Sequence, residues 1–147
     1  MSLLRRTTST LALFAAGLLL LGACATGSPT PSPAQSSTPR ADVESRLVGA
    51  NDFARAVAQP GRVTINVHVP FEGAISGTDL MIPYDEIKQQ ASRLPEDRST
   101  PLAIYCRTGS MSETAAKTLT TLGYTDVVDL QGGMQAWEAS GRSLTGR

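Results

Sequence analysis

Leu102-Ala103-Ile104-Tyr105-Cys106-Arg107-Thr108-Gly109-Ser110-Met111 places one cysteine where an apolar run gives way to a helical pattern. The four residues before the cysteine, bounded by Pro101, read as a buried strand. Beyond it, Met111, Ala115, Leu119 and Leu122 share one helical face, and Gly123 stops the helix. Ser110 with Glu113 three residues on fits a capping box, so Ser110 is the expected N-cap. The spacing therefore predicts Cys106 in a turn over a helix N-terminus, where free N–H groups and the macrodipole favour an anion. A thiol of ordinary pKa is only about 3% ionised at pH 7, whereas a helix N-terminus and a nearby cation bring that pKa to about 3.5–7.5. Arg107 is the expected cation. The plainer alternative is a small buried hydrophobe, the usual fate of a free cysteine.

The opening residues read as a targeting segment. Arg5 and Arg6 form a positive n-region before an apolar run over residues 11–21, suited to a signal peptide and too short to span a bilayer. Leu21-Gly22-Ala23-Cys24 resembles the bacterial lipobox, which implies cleavage after residue 23 and a diacylglyceryl group on Cys24, with palmitate-type acylation. Such acyl chains would anchor the protein to the extracytoplasmic face of the cell membrane. The alternative is a secreted protein cleaved near Ala23. Removing residues 1–23 leaves 11 basic residues against 13 acidic, a formal charge of −2, and no basic stripe. That balance speaks against a nucleic-acid partner.

With Cys24 lipidated, Cys106 is the one remaining thiol, so an internal disulfide, a CxxC pair and a cysteine-based metal centre are excluded by count. Residues 24–42 are rich in Pro, Ser and Thr and poor in apolar side chains, the composition of a disordered tether. No internal repeat is present. Residues 43–147 are enough for one modest core. Short strands are expected over 46–48, 63–67, 102–105 and 127–130. Helices are expected from Asn51 as cap to Ala58, over 85–94, after Ser110, and from Gly132-Gly133 through Trp137. Residues 75–82 read as irregular. This alternation predicts an α/β fold: a central parallel sheet with helices on both faces and a ligand site at the strands' carboxyl ends.

Three segments, in order, carry a family resemblance. They are Ile65 to Gly73 (INVHVPFEG) with Met81 to Ile87 (MIPYDEI), Cys106 to Ser112 (CRTGSMS), and Leu130 to Gly141 (LQGGMQAWEASG). Together they resemble a single rhodanese-like domain, a sulfurtransferase family. The resemblance implies that Cys106 thiolate takes sulfur from a sulfane donor such as thiosulfate, forming a persulfide. A thiol or cyanide, or a protein acceptor, then removes it. It implies no metal and no organic cofactor. The substrate-binding loop it implies is Arg107, Thr108, Gly109, Ser110 and Met111, with backbone N–H groups directed at the sulfur.

Three departures from the family pattern are visible. Met111 stands where single-domain members often carry Arg, which removes one anion clamp and points to weak binding of small dianions. Its plainer role is a helix-face residue packed on the core. Asn66 and His68 replace a common Asp and Arg, and His68 is a possible accessory group, with a hydrogen-bonded strand-end histidine as the simpler role. Gly77-Thr78-Asp79-Leu80 replaces a Gly-His-Ile loop, and Glu72, Asp79, Asp85 and Glu86 there read as solvated charges rather than a cation site. Two other functions compete: a non-catalytic, sulfur-sensing or binding module, and a phosphatase or arsenate reductase. The last would need Arg where Ser112 stands.

Overall fold

Residues 45–147 are described by the computed structural model. The expected signal peptide, the lipidation site Cys24 and the tether over 24–42 lie outside the described residues.

Five short strands form one all-parallel sheet: β1 (Arg46–Val48), β2 (Val63–Asn66), β3 (Leu80–Met81), β4 (Leu102–Tyr105) and β5 (Val127–Leu130). Their order is β1-β5-β4-β2-β3, which puts β4 at the centre. A strand buried on both faces reads as a continuous apolar run, and Leu102, Ala103, Ile104 and Tyr105 are each 0% exposed. Alternation then sends Leu102, Ile104 and Cys106 to one face and Ala103 and Tyr105 to the other.

The first face is covered by α2 (Ser110–Thr121), whose Ala115, Ala116 and Leu119 pack on Ile65, Ile104 and Val127. The second is covered by α1 (Ala50–Val57) and α3 (Gly133–Ala139). There Phe53 meets Tyr105 and Trp137 edge-on, with ring centroids 6.1 and 6.3 Å apart. Helices on both faces of a parallel sheet are thus as expected, and Cys106 falls at the carboxyl end of the central strand.

Four local expectations are corrected. No α-helix forms over residues 85–94; the chain makes successive turns ending in a 3₁₀ turn at Ala91–Arg93. Only Ile87 and Leu94 bury fully in that stretch, and Gln90 N–H to Glu86 O is its one helix-type bond beside turn bonds such as Glu86 N–H to Pro83 O. Two anchors seven residues apart do not offset helix nucleation. Asn51 does not cap α1: Gly49 does, and Asn51 Oδ1 accepts from Arg142 Nη2 at 2.9 Å. The irregular stretch over 75–82 contains β3, which pairs Leu80 and Met81 with Ile65 and Asn66. The strand expected over 63–67 ends at Asn66, although Val67 N–H still bonds Tyr105 O at 2.9 Å.

Candidate active site

β4 ends at Tyr105 and α2 begins at Ser110, so four residues, Cys106 to Gly109, make the turn. Gly109 makes it possible, with φ 108° and ψ −26°, a conformation that a side chain disfavours. In that pose its N–H points back to Cys106 Sγ at 3.0 Å. Its carbonyl accepts two bonds from the first turn of α2, Glu113 N–H and Ser112 Oγ–H, both at 3.0 Å. Gly109, not Ser110, is therefore the N-cap, and Ser110 is the exposed first residue of the helix. The serine that matters locally is Ser112, which is fully buried and tethers the loop through its hydroxyl.

The outer side of the loop is held by α3. Met134 N–H donates to Cys106 O at 2.8 Å and Gln135 N–H to Arg107 O at 3.1 Å. These bonds bring the Gly132-Gly133 backbone against the loop. A Cβ on Gly133 would sit 2.4 Å from Cys106 O and 2.6 Å from the Arg107 carbonyl carbon. The paired glycines of the C-terminal segment are thus a close-packing device for the cysteine loop.

Cys106 has no exposed surface, which fits the plainer alternative of a small buried hydrophobe rather than an open reactive thiol. One expectation about the sulfur is corrected. One loop amide, that of Gly109, contacts the sulfur in place of the expected ring from Arg107 to Met111. Reaching Sγ therefore requires the loop or its cover to move. Thr108 and Ser110 are exposed on the outer side of the loop, and Met111 packs partly buried against the core cluster that contains Cys106.

The charge of Arg107 is also not free. Its Nη1 donates to Glu72 Oε2 at 2.5 Å, and His68 Nε2 shares the same oxygen at 2.9 Å. The hydrogen bond from His68 holds the Glu72 carboxyl below the ordinary carboxylate range; partial desolvation opposes this and Arg107 reinforces it. Glu72 was expected to be a solvated charge and instead joins His68 to the cysteine loop. Asp79 is likewise engaged, accepting Thr64 N–H at 2.7 Å. His68 is placed by Asn66, whose Oδ1 takes the His68 N–H at 2.9 Å while its Nδ2 donates to Gly73 O at 3.1 Å. With Nε2 engaged by Glu72, His68 Nδ1 is buried without a partner.

Two cavities lie in this region. A small one of about 140 Å³ lies among His68, Val69, Phe71, Met81, Ile82 and Pro83, with no residue of the cysteine loop in its lining. A cleft of about 470 Å³ opens against the loop itself, among Leu47, Thr108, Ser110, Glu113, Asp129 and Gln131. Neither Glu72 nor Asp129 was singled out from the sequence as a site residue. Glu72 meets Arg107 35 positions on, and Asp129 reads from the sequence as one polar residue within an apolar strand.

A turn of this size, closed on one sulfur by a glycine amide and clamped by a Gly-Gly helix start, agrees with the similarity found by comparison. The rhodanese-like domain family matches residues 54–140. The chain belongs to the rhodanese-like domain family. A protein named sulfurtransferase from Allochromatium vinosum is 39% identical over 62 residues, which is 42% of this chain and 56% of that protein. The chain thus spans about half the length of this curated relative. Among solved structures, a rhodanese-related protein from Thermoplasma volcanium is 28% identical, with TM-score 0.58, over 68% of this chain and 97% of that one. A rhodanese-like domain protein from Staphylococcus aureus shares the fold at 21% identity, with TM-score 0.55, over 69% of this chain and 99% of that one. The matched residues run from within α1 through α3, and so include the cysteine loop and four of the five strands.

Proposed function

We propose that this domain carries sulfane sulfur on Cys106. The thiolate attacks the outer sulfur of a donor such as thiosulfate. The new Sγ–S bond forms as the donor S–S bond breaks, and sulfite leaves with the electron pair. A thiol or cyanide then attacks the terminal sulfur of the persulfide, and Cys106 thiolate departs unchanged. The observation that carries this reading is the Gly109 N–H at 3.0 Å from Sγ, a fixed donor for negative charge on sulfur. The name of the Allochromatium vinosum relative agrees with it. Donors of low charge are favoured, because Met111 supplies no cation and Glu72 neutralises Arg107. Intact-protein mass after incubation with thiosulfate or a polysulfide tests the reading. Gain of one sulfur atom, absent in Cys106→Ser and removed by cyanide, is the expected result.

The sealed sulfur favours a second reading, a binding module that uses the rhodanese-like surface without turnover. A thiol left unmodified by every donor would establish it. We further propose that Cys24 is lipidated and tethers the domain to the extracytoplasmic face of the membrane. Partition of the full chain into a detergent phase, lost in Cys24→Ala, is the test.

A further inference from the structure

The cleft against the cysteine loop has an acidic floor and no counter-charge. Asp129, the third residue of β5, is 2% exposed, whereas the other lining residues are exposed or half-buried, so Asp129 forms the floor. It stands in register with Ile104, on the same face of the sheet as Cys106. Its Oδ1 is buried without a partner, and the Ser112 hydroxyl donates to Gly109 O instead. The other carboxylate of the lining, Glu113, is already held by Lys117 at 2.7 Å. Among the described residues, no Lys, Arg or His lines the cleft. Burial pushes the Asp129 carboxyl up to about 6, which leaves it largely ionised at about pH 7.5.

A carboxylate oxygen buried without a donor is costly, and a cation brought against it offsets that cost. The lining selects the cation. A volume of about 470 Å³ suits a small molecule. No group of three metal-ligating side chains occurs among the described residues, so the donor set does not suit a metal ion. An ammonium needs one carboxylate and a few further oxygens, which the Thr108 and Ser110 hydroxyls and the Gln131 carbonyl supply. Leu47, 57% exposed, adds an apolar wall for a short alkyl chain. We propose that the cleft binds a small primary ammonium compound with its charge on Asp129, and that the sulfur acceptor is an ammonium-bearing thiol. The second half rests on Cys106 carrying sulfur. Gly109 lines the cleft and contacts Sγ through its N–H, so a bound acceptor lies one residue from the sulfur. The acceptor thiol gives its proton to solvent, and its thiolate attacks the terminal sulfur of the persulfide. The new S–S bond forms as the Sγ–S bond breaks, and the electron pair returns to the Cys106 thiolate.

The test titrates the full chain with n-propylammonium chloride at about pH 7.5 and follows backbone amides by ¹⁵N NMR. Sodium chloride of equal ionic strength and 1-propanol serve as references. Saturable shifts at Gly109, Ser110 and Gln131 are expected with the ammonium alone. Asp129→Asn should weaken that binding about tenfold, the loss of one charge-assisted bond. Leu47→Lys, an exposed change that sets a competing cation at the rim, should weaken it as well. That variant keeps the test available if Asp129→Asn folds poorly. No saturable shift, equal shifts with 1-propanol, or equal binding by wild type and Asp129→Asn overturns the ammonium site. Sulfur transfer from the persulfide form to cysteamine and to mercaptoethanol is measured on the same two proteins. The ratio of the two rates should fall about tenfold in Asp129→Asn, and an unchanged ratio overturns the acceptor assignment. Binding without sulfur uptake by mass supports the ammonium site and sinks the sulfur-carrier function, with the acceptor assignment. Uptake without binding does the reverse: the carrier stands and the ammonium site falls.

Discussion

The two ends of the same parallel sheet are built differently. At the amino ends of β2 and β4, buried Arg62 donates to Leu102 O at 2.8 Å, Asp126 Oδ2 at 2.9 Å and Gln59 Oε1 at 3.0 Å. Near that end Arg98 stacks on Tyr124, and the Tyr124 hydroxyl donates to Pro95 O at 2.5 Å. At the carboxyl ends, Asp129 Oδ1 and His68 Nδ1 are buried without partners. Thr64 Oγ1, within β2, is the other such atom among the described residues. A buried polar group left unpaired costs about 1–3 kcal/mol. The amino end spends its polar groups on closing the fold, and the carboxyl end keeps groups with unused capacity around one sulfur. That difference separates a fastening from a site.

The sharpest way to break the comparison is Gly133→Ala, which acts at the carboxyl end through sterics alone. The added Cβ meets Cys106 O at 2.4 Å, and the backbone there has φ 58°. The loop or α3 must shift, at a cost of about 3 kcal/mol or more. A fall of the urea midpoint together with loss of the Gly109–Sγ contact by NMR is the expected outcome. Unchanged stability would mean that α3 does not clamp the loop.

Arg62→Ala comes next and probes the fastening. It removes a charge-assisted bond to a buried carbonyl of the β4–β5 ladder and an ion pair whose carboxylate is half in solvent, for a loss of about 2 kcal/mol. Denaturation should report that loss, while the sulfur uptake of the folded protein stays as in wild type. A change in uptake without a change in stability would erase the distinction between the two ends.

Asp129→Asn is expected to act in the opposite direction. The folded-state pKa of about 6 lies above the ordinary 3.8, so the folded chain holds this proton longer than the unfolded one. The stability due to the protonated form is complete below about pH 3.8. It is lost as the pH rises through about 6, and no further change follows. Two pKa units correspond to about 3 kcal/mol as an upper bound. The asparagine variant avoids the loss and should be the more stable protein at pH 7.5 by about 1–3 kcal/mol, with the gap closing toward pH 4. Urea midpoints of both proteins across that range check it, and parallel curves would refute it.

How far the sequence alone could go is visible in these same residues. Leu102 to Tyr105 was legible as a central strand because both faces are apolar, and α2 because Ala115 and Leu119 keep helical spacing. The cysteine loop and the Gly132-Gly133 segment were legible as motifs. The role of the glycines was not, because it consists of α3 touching the carbonyls of Cys106 and Arg107. Ser110 was misread because Ser-x-x-Glu fits a capping box in sequence, while the left-handed backbone belongs to the residue before it. The helix expected over 85–94 failed for want of a buried stripe. Glu72 and Arg107 are 35 positions apart, and sealing of Cys106 comes from how the loop lies. Contacts across a sheet leave no mark in local spacing.

Glu72→Gln should have the smallest effect on stability, because its carboxylate is at the surface, and the most direct effect on what the site accepts. Glu72 spends the Arg107 charge and one nitrogen of His68 on a single oxygen. Its lowered pKa means that the pairing favours the folded chain at neutral pH and weakens as the pH falls into the carboxylate range. A neutral amide keeps a carbonyl for one of these donors but releases the guanidinium from its counter-charge. A dianion such as thiosulfate then meets a free cation beside the loop, as it would if Met111 were Arg. The initial rate of sulfur uptake from thiosulfate should rise in the variant, with the gain screened out by added salt. Uptake from an uncharged polysulfide donor should not change. A rise with both donors would mean that Glu72 restrains the loop itself, and the charge of Arg107 would no longer explain donor preference.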